Sequence, residues 1–212
     1  MGGFFSRQHD VITVTGLDGS GKSLCLRHLM DSAQSSHYIG HELNSMPPYT
    51  AIGVPPTLDV AKILLKFGRH EWTVWEISGK KHLRSTWPFY YGSSDAIIFV
   101  IDALDTKRGD IVRKSIQQID ETLKRKQRHP PIAIFLNSRG SSDKELEEED
   151  EEASIATSAM TSTQLSSEDI HTQCNLQSLQ ELYPLKIFPV DALTGAGIKS
   201  GLEWINHQLE AI

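Results

Sequence analysis

Apolar positions along the chain alternate between short strand-like runs and longer stretches with helical spacing. Runs rich in β-branched, aromatic or continuous apolar residues predict strands. Six strands are predicted, at 10–15, 58–67, 71–77, 96–101, 132–136 and 185–190. Apolar residues three or four positions apart predict helices. Four helices are predicted, at 22–33, 106–127, 167–181 and 198–210.

The longest predicted helix, 106–127, is amphipathic. We expect its buried face to carry Ile111, Ile116, Ile119 and Leu123. Because strands and helices alternate along the chain, the pattern predicts an α/β fold in one domain over 1–212. The expected architecture is a doubly wound, mostly parallel, six-stranded sheet with helices on both faces.

Three segments lack such a pattern. Residues 1–9 form a short N-terminal segment, and 34–56, with four prolines, is predicted to be a long loop. Residues 139–166 contain an acidic block followed by Ser, Thr and Ala. Because this composition supplies few large apolar groups, we expect 139–166 to be a disordered insertion.

Charge and composition narrow the class of protein. Residues 143–152 hold eight acids and one lysine, which account for more than the whole formal charge of −6. The remainder is close to neutral and carries no basic stripe, so a nucleic-acid partner is not expected. Two distant cysteines suggest a reducing, cytoplasmic setting. No apolar run approaches the roughly 20 residues that span a bilayer.

A glycine-rich loop carries the clearest chemistry. Residues 16–23, GLDGSGKS, match the Walker A pattern, with a predicted strand before them and a helix after them. Backbone N–H groups of such a loop surround phosphate oxygens. Lys22 is expected to reach the outer phosphates and the Ser23 hydroxyl to bind Mg²⁺. The loop therefore predicts a nucleoside polyphosphate site.

Further motifs along the chain resemble those of one protein family. The GLD opening of the loop, Pro56-Thr57, the run 75–79 (WEISG), the run 83–91 (LRSTWPFYY) and the run 191–195 (DALTG) stand in order. Together they resemble Arf and Arf-like small GTPases. Ala51-Ile52-Gly53 also resembles part of the family's switch I, but alanine has no metal ligand and Thr57 keeps the spacing to Trp75 ungapped.

The resemblance implies the P-loop NTPase fold, GTP or GDP as ligand, and Mg²⁺. The metal would be held by Ser23, Thr57 and, through water, Glu76. The family's effector surface maps to Val60, Trp75 and Tyr90; the alternative is that the two aromatic rings simply pack in the domain. The implied nucleotide-binding residues are Gly16, Leu17, Asp18, Gly19, Ser20, Gly21, Lys22, Ser23, Leu24, Thr57, Gly79, Asn137, Asp191, Ala192 and Leu193.

Several positions depart from the family pattern. Glu76 replaces an aspartate, and Ser78 replaces the first of two glycines. Lys80 stands where the family has the water-orienting glutamine. An ammonium has donors and no acceptor, so slow or absent hydrolysis is expected.

The base-reading loop departs further. The run 137–140 (NSRG) replaces Asn-Lys-Gln-Asp, so only Asn137 of the guanine-reading set remains. Asp143 could substitute if the loop bulges. The loss of the aspartate weakens the expected discrimination for guanine.

The chain begins MGGFFS, which fits the acceptor pattern for N-myristoylation of Gly2; a frayed terminus is the alternative. The leading hypothesis is an Arf-like nucleotide switch that recruits protein effectors and regulators, in membrane trafficking and with reversible attachment to an intracellular membrane. One rival is a pseudo-GTPase scaffold. The other is a small-metabolite P-loop kinase, which the acidic insertion disfavours because a lid over phosphates needs arginines.

Overall fold

The computed structural model describes residues 8–33, 35–39, 60–67, 69–138 and 164–211. The predictions for Gly2, Thr57, Gly140 and Asp143, and for most of the acidic insertion, lie outside the described residues.

Seven strands and six α-helices are described. The strands are β1 (Gln8–Gly16), β2 (Ser35–Ile39), β3 (Val60–Phe67), β4 (His70–Ile77), β5 (Ala96–Asp102), β6 (Ile132–Asn137) and β7 (Leu185–Val190). The helices are α1 (Lys22–Ser32), α2 (Trp87–Tyr91), α3 (Gly109–Lys126), α4 (Ser167–Gln173), α5 (Leu176–Gln180) and α6 (Ile198–Glu210). Two 3₁₀ helices, Lys81–Thr86 and Thr106–Arg108, lead into α2 and α3.

The strands form one sheet in the order β2-β3-β4-β1-β5-β6-β7. Only the β2–β3 and β3–β4 pairs are antiparallel. The predicted fold class, a doubly wound and mostly parallel sheet, is confirmed. In a sheet of this kind the carboxyl ends of the parallel strands lie along one edge, where ligands bind.

The structure adds one strand to the six expected. Residues 35–39 lie in the stretch predicted to be a loop, but they pair with Lys62–Lys66 of β3 and form an edge strand. The sequence SSHYI is short and mostly polar, so it has no apolar run to indicate a strand. The backbone groups of β2 find their hydrogen-bond partners in the long β3, and nothing in the local sequence indicates that pairing.

Apolar side chains cover both faces of the sheet. One cluster joins β5 and β6 to α2, α3, α4 and α5. The other joins the opposite faces of β1, β4, β5 and β6 to α1 and α6. Since β5 and β6 are buried on both faces, their continuous apolar sequences follow directly.

The buried face of α3 differs at one position from the prediction. Ile111 is 38% exposed, and Val112 faces the core instead. Val112, Ile116, Ile119 and Leu123 follow the helical spacing of three or four residues without interruption. Ile111 is one position out of this series, so the expectation for it was wrong.

The region after the acidic insertion is ordered earlier than expected. Leu165 lies in the stretch predicted to be disordered, yet it is 7% exposed and its N–H donates to the Ala103 carbonyl over 2.8 Å. Ser166 then caps α4 through a reciprocal bond with Asp169. The single helix predicted at 167–181 is divided at Asn175, whose φ of 49° is left-handed.

Candidate functional site

The glycine-rich loop connects the end of β1 to the start of α1. Gly19 and Gly21 have φ values of 77° and 94°, which favour glycine. A Cβ on Gly21 would also lie 2.4 Å from the Asn137 Nδ2 atom. The loop thus turns in the way that presents successive backbone N–H groups and the α1 N-terminus on one side, the arrangement that receives phosphate.

Lys22 is the first residue of α1 and is 6% exposed. Its Nζ donates to the Leu17 carbonyl across the loop over 2.7 Å. Burial lowers the pKa of Lys22 to about 8, although the carboxylates of Glu76 and Asp18 act in the opposite direction. A buried ammonium at this position gives the loop a cation with little surrounding water.

Ser23 and Glu76 meet next to Lys22. The Ser23 hydroxyl donates to Glu76 Oε1 over 2.6 Å, and Glu76 is only 2% exposed. Parallel pairing of Val14 with Glu76 brings the end of β4 beside the end of β1. A hydroxyl and a carboxylate are oxygen ligands of the type that Mg²⁺ prefers. The donor types therefore fit a magnesium site held by Ser23 with Glu76 acting through water, and the extra methylene of Glu76 does not keep it from Ser23.

Gly79 packs directly on the phosphate loop. A Cβ on Gly79 would lie 2.2 Å from the Asp18 nitrogen and 2.6 Å from the Gly16 oxygen, so no other residue fits without movement. Ser78 precedes it and is buried; its carbonyl accepts a hydrogen bond of 2.9 Å from Trp87 Nε1. The Ser78 hydroxyl accepts from the Lys80 N–H over 3.4 Å, so the serine in place of the family's first glycine is accommodated.

Two arginines hold this contact. Arg84 donates from Nε to the Gly79 carbonyl over 2.8 Å and from an Nη to Asp18 Oδ1 over 2.7 Å. Arg108 donates to the same Asp18 oxygen over 3.0 Å and to the Asp18 carbonyl over 2.9 Å. Arg108 also pairs with Asp105. The sequence patterns do not predict either arginine as part of the site.

The pKa of Asp18 reflects these contacts. Burial raises it, but Arg108, the hydrogen bond at the backbone and Arg84 together hold it below its usual value. Asp18 is therefore ionised at neutral pH, and its carboxylate is shared between both guanidinium groups.

Asn137 connects the phosphate loop to the loop after β7. It is 1% exposed. Its Nδ2 donates to the Ser20 carbonyl over 3.0 Å, and its Oδ1 accepts from the Ala192 N–H over 2.9 Å. In the same loop the Asp191 carboxylate accepts from the Leu193 N–H over 2.7 Å. Asn137, Asp191, Ala192 and Leu193, named separately in the sequence, thus come together at one edge.

The three residues expected on the effector surface lie on neighbouring elements. Val60 and Tyr90 are half-buried against the core. The Trp75 and Tyr90 ring centroids are 6.1 Å apart, and Lys62 Nζ lies 5.4 Å from the Trp75 ring centroid. The two rings pack against each other and stay partly accessible, and an effector surface at this place remains a prediction.

Phe89 was not expected at the functional surface, although it lies in the run 83–91 that resembles the Arf family. It is 81% exposed, the largest exposure among the large apolar side chains described. It lies next to Tyr90 on α2. The sequence feature that could have indicated Phe89 is its position in the run 83–91, next to Tyr90.

The sequence model of the ADP-ribosylation factor family matches residues 3–209. The chain belongs to this family. Two relatives are the ADP-ribosylation factor-like protein alp41 of Schizosaccharomyces pombe and the ADP-ribosylation factor-like protein 3 of Caenorhabditis elegans. They are 28% and 29% identical to it over 201 residues, covering 95% and 94% of this chain and 87% of each relative.

A solved structure agrees with the Arf-family fold. The Arl6 BBS3 small GTPase of Trypanosoma brucei, with the bound nucleotide analogue GppNp, matches with a TM-score of 0.69 and 22% identity. The match covers 96% of this chain and 99% of that chain. The chain is thus an Arf-like member of a family of nucleotide-binding switches with the P-loop fold, whose members bind GTP or GDP with Mg²⁺ and interact with effectors and regulators.

The phosphate loop is described in full, and so is Lys80, which is expected at the water-orienting position. Lys80 is half-buried and its N–H lies 3.4 Å from the Ser78 hydroxyl. Ser138 is described and donates its N–H to the Val190 carbonyl, whereas 139 and 140 lie outside the described residues. Among the residues described, no helix is long and apolar enough to cross a membrane.

Proposed function

We propose that this Arf-family protein is a guanine-nucleotide-binding switch with slow or absent intrinsic hydrolysis, which recruits protein effectors. The observation that carries the proposal is the convergence of the glycine loop, Lys22, the Ser23–Glu76 pair and Asn137 at one sheet edge. Lys22 supplies charge for phosphates and Ser23 with Glu76 supplies oxygen ligands for Mg²⁺. Gly16, Leu17, Ser20 and Leu24 belong to the same loop and helix start.

Nucleotide bound to the purified protein tests this proposal directly. Denaturing the protein and separating the released compounds by chromatography identifies both the base and the number of phosphates. We expect GDP or GTP at close to one equivalent. Ser23→Ala should weaken binding in the presence of Mg²⁺, whereas Ser32→Ala at the far end of α1 should not, because the Ser32 hydroxyl only donates to the His28 carbonyl. No nucleotide in the wild type and no binding on addition would overturn the proposal.

Slow hydrolysis follows from Lys80, which has no acceptor for the attacking water. Lys80→Gln should raise single-turnover GTP hydrolysis by roughly tenfold. Lys81→Gln is the matched control, since Lys81 is adjacent, exposed and outside the expected water position. Equal rates in wild type, K80Q and K81Q would contradict this assignment of position 80.

A static scaffold is the second candidate, and one contact favours it. The Ala192 N–H, in the family's base-contacting loop, donates to Asn137 Oδ1. A donor already engaged within the protein is less available to a base. Such a protein would bind nucleotide without preference for guanine, or none at all. Competition of ATP and GTP for one fluorescent nucleotide separates the candidates: a preference for GTP of tenfold or more, roughly 1.4 kcal/mol, favours the switch.

Effector recruitment would use the surface of Val60, Trp75, Tyr90 and Phe89. Aromatic side chains at such surfaces contribute strongly to binding. Reversible membrane attachment through myristoylated Gly2, and a role in trafficking, are part of the same proposal and rest on the MGGFFS start. Labelling with a myristate analogue, compared between wild type and Gly2→Ala, tests the lipid; equal labelling would overturn it.

A further inference from the structure

Asp18, Arg84 and Arg108 form a charge cluster that joins three separate parts of the chain. Asp18 lies in the phosphate loop, Arg84 in the 3₁₀ helix after β4, and Arg108 immediately before α3. Four hydrogen bonds connect them to one another and to Gly79 among those described. We call this set, Asp18 with Arg84 and Arg108, the arginine latch.

The latch fixes the position of one peptide group. Arg84 bridges Asp18 and the Gly79 carbonyl, so it holds Gly79 at a set distance from the phosphate loop. The contact between Gly79 and the loop backbone is too close for any side chain. With its carbonyl engaged, the Gly79 N–H has no hydrogen-bond partner within the described part of the chain. Gly79 itself lies against the loop on which phosphates are expected.

We propose that the arginine latch positions the Gly79 N–H for the terminal phosphate, and that Asp18 thereby sets the preference of this protein for a nucleoside triphosphate over a diphosphate. The proposal rests on the nucleotide-binding function proposed above. Arg84 and Asp18 are positioning residues: they act through Gly79. Holding the peptide beforehand removes the ordering cost that a free segment would meet on binding.

The proposal predicts a change in nucleotide affinity on removal of Asp18 that is opposite to the change expected from charge alone. Its carboxylate is negative and lies in a loop that receives phosphates, so Coulomb repulsion alone predicts that removing it strengthens binding, most for the more highly charged triphosphate. The latch predicts the reverse. Without the Asp18 carboxylate, Arg84 and Arg108 lose their shared acceptor, although Arg108 keeps its bond to the residue-18 carbonyl. Gly79 is then held less firmly, so triphosphate affinity falls while diphosphate affinity stays nearly constant.

The test measures dissociation constants of the full-length protein for GppNp and for GDP, both in Mg²⁺, by displacement of a fluorescent GDP. The variants are Asp18→Ala, Arg84→Gln and the double variant. We expect each single variant to lower the GppNp affinity by roughly tenfold relative to GDP, and the double variant to lose no more, because all three break the same latch.

Arg113→Gln is the matched control. Arg113 pairs with Asp110 over 3.1 Å on the exposed side of α3, so its loss removes an arginine close to Arg108 in the chain without touching the latch. Thermal unfolding of every variant without added nucleotide checks that it folds. Hydrogen exchange at 79–87 gives a second readout, and it should rise in Asp18→Ala and not in Arg113→Gln.

The outcomes separate the two proposals. Tighter GppNp binding in Asp18→Ala, or an unchanged GppNp-to-GDP ratio with unchanged exchange at 79–87, would overturn the latch while leaving nucleotide binding intact. Failure of the wild type to bind either nucleotide would overturn the proposed function and the latch with it. Additive losses in the double variant would also contradict a single latch.

Discussion

Lys22 gives the site a pH signature at the scale of one residue. Burial lowers its pKa to about 8, and a bound phosphate would raise that pKa again. The affinity for nucleotide is therefore fully present below about pH 8 and is lost as the pH rises above it, where the free protein has already released the proton. Dissociation constants for GDP measured between about pH 7 and about pH 9 should show this decline.

The charge on Lys22 must cause that decline. Lys22→Met should bind weakly at every pH with no slope, while Lys199→Met, which removes an exposed lysine 3.8 Å from Glu203, should keep the wild-type profile. A flat profile in the wild type would show that Lys22 does not titrate in this range.

Residues of the site differ in how far the sequence could reveal them. Lys22, Ser23 and Glu76 were expected because a local pattern or an ungapped resemblance places them. Arg84 and Arg108 contact Asp18 across 66 and 90 residues of sequence. Nothing in local spacing encodes a pairing over that distance, since it arises only when the sheet brings strand ends together.

Leu165 is a single apolar residue that anchors the chain just before α4. It lies outside every predicted helix, yet it packs in the core cluster with α3 and bonds to Ala103. Leu165→Ala should lower the free energy of unfolding by about 2 kcal/mol, as expected for a buried leucine. Leu104→Ala is the comparison, because Leu104 is 44% exposed and should cost no more than about 0.5 kcal/mol.

Urea unfolding of both variants measures these costs, and equal costs would contradict the anchoring of Leu165.

The elements predicted well were those with a clear apolar pattern over many residues, such as the amphipathic α3 and the continuous apolar run of β5. Leu165 and β2 were missed because low-complexity or polar neighbours hide a contribution that depends on distant partners, Ala103 in one case and β3 in the other.

At the scale of the molecule, the amino ends and the carboxyl ends of the parallel strands have different roles. Asp10 and His70 lie at the amino ends of β1 and β4, with His70 Nδ1 and Asp10 Oδ2 2.6 Å apart and both side chains almost fully buried. The phosphate loop begins at Gly16, six strand residues further on, or about 20 Å away. Asp10→Ala removes the hydrogen-bond partner of the buried His70 Nδ1 and should cost about 2 kcal/mol of stability.

That loss should leave nucleotide binding unchanged, because the Asp10–His70 pair lies about 20 Å from the phosphate loop. A ligand that binds only the folded state adds a stability increment fixed by its concentration and affinity. Saturating GDP should therefore raise the free energy of unfolding of Asp10→Ala by the same amount as that of the wild type, measured by urea unfolding. The variant should be less stable than the wild type both with and without GDP. Lys22→Met should show the opposite pattern, with a smaller increment from GDP. A reduced increment in Asp10→Ala would mean that the two ends of the strands are coupled through β1, and that the buried pair helps to hold the shape of the phosphate loop.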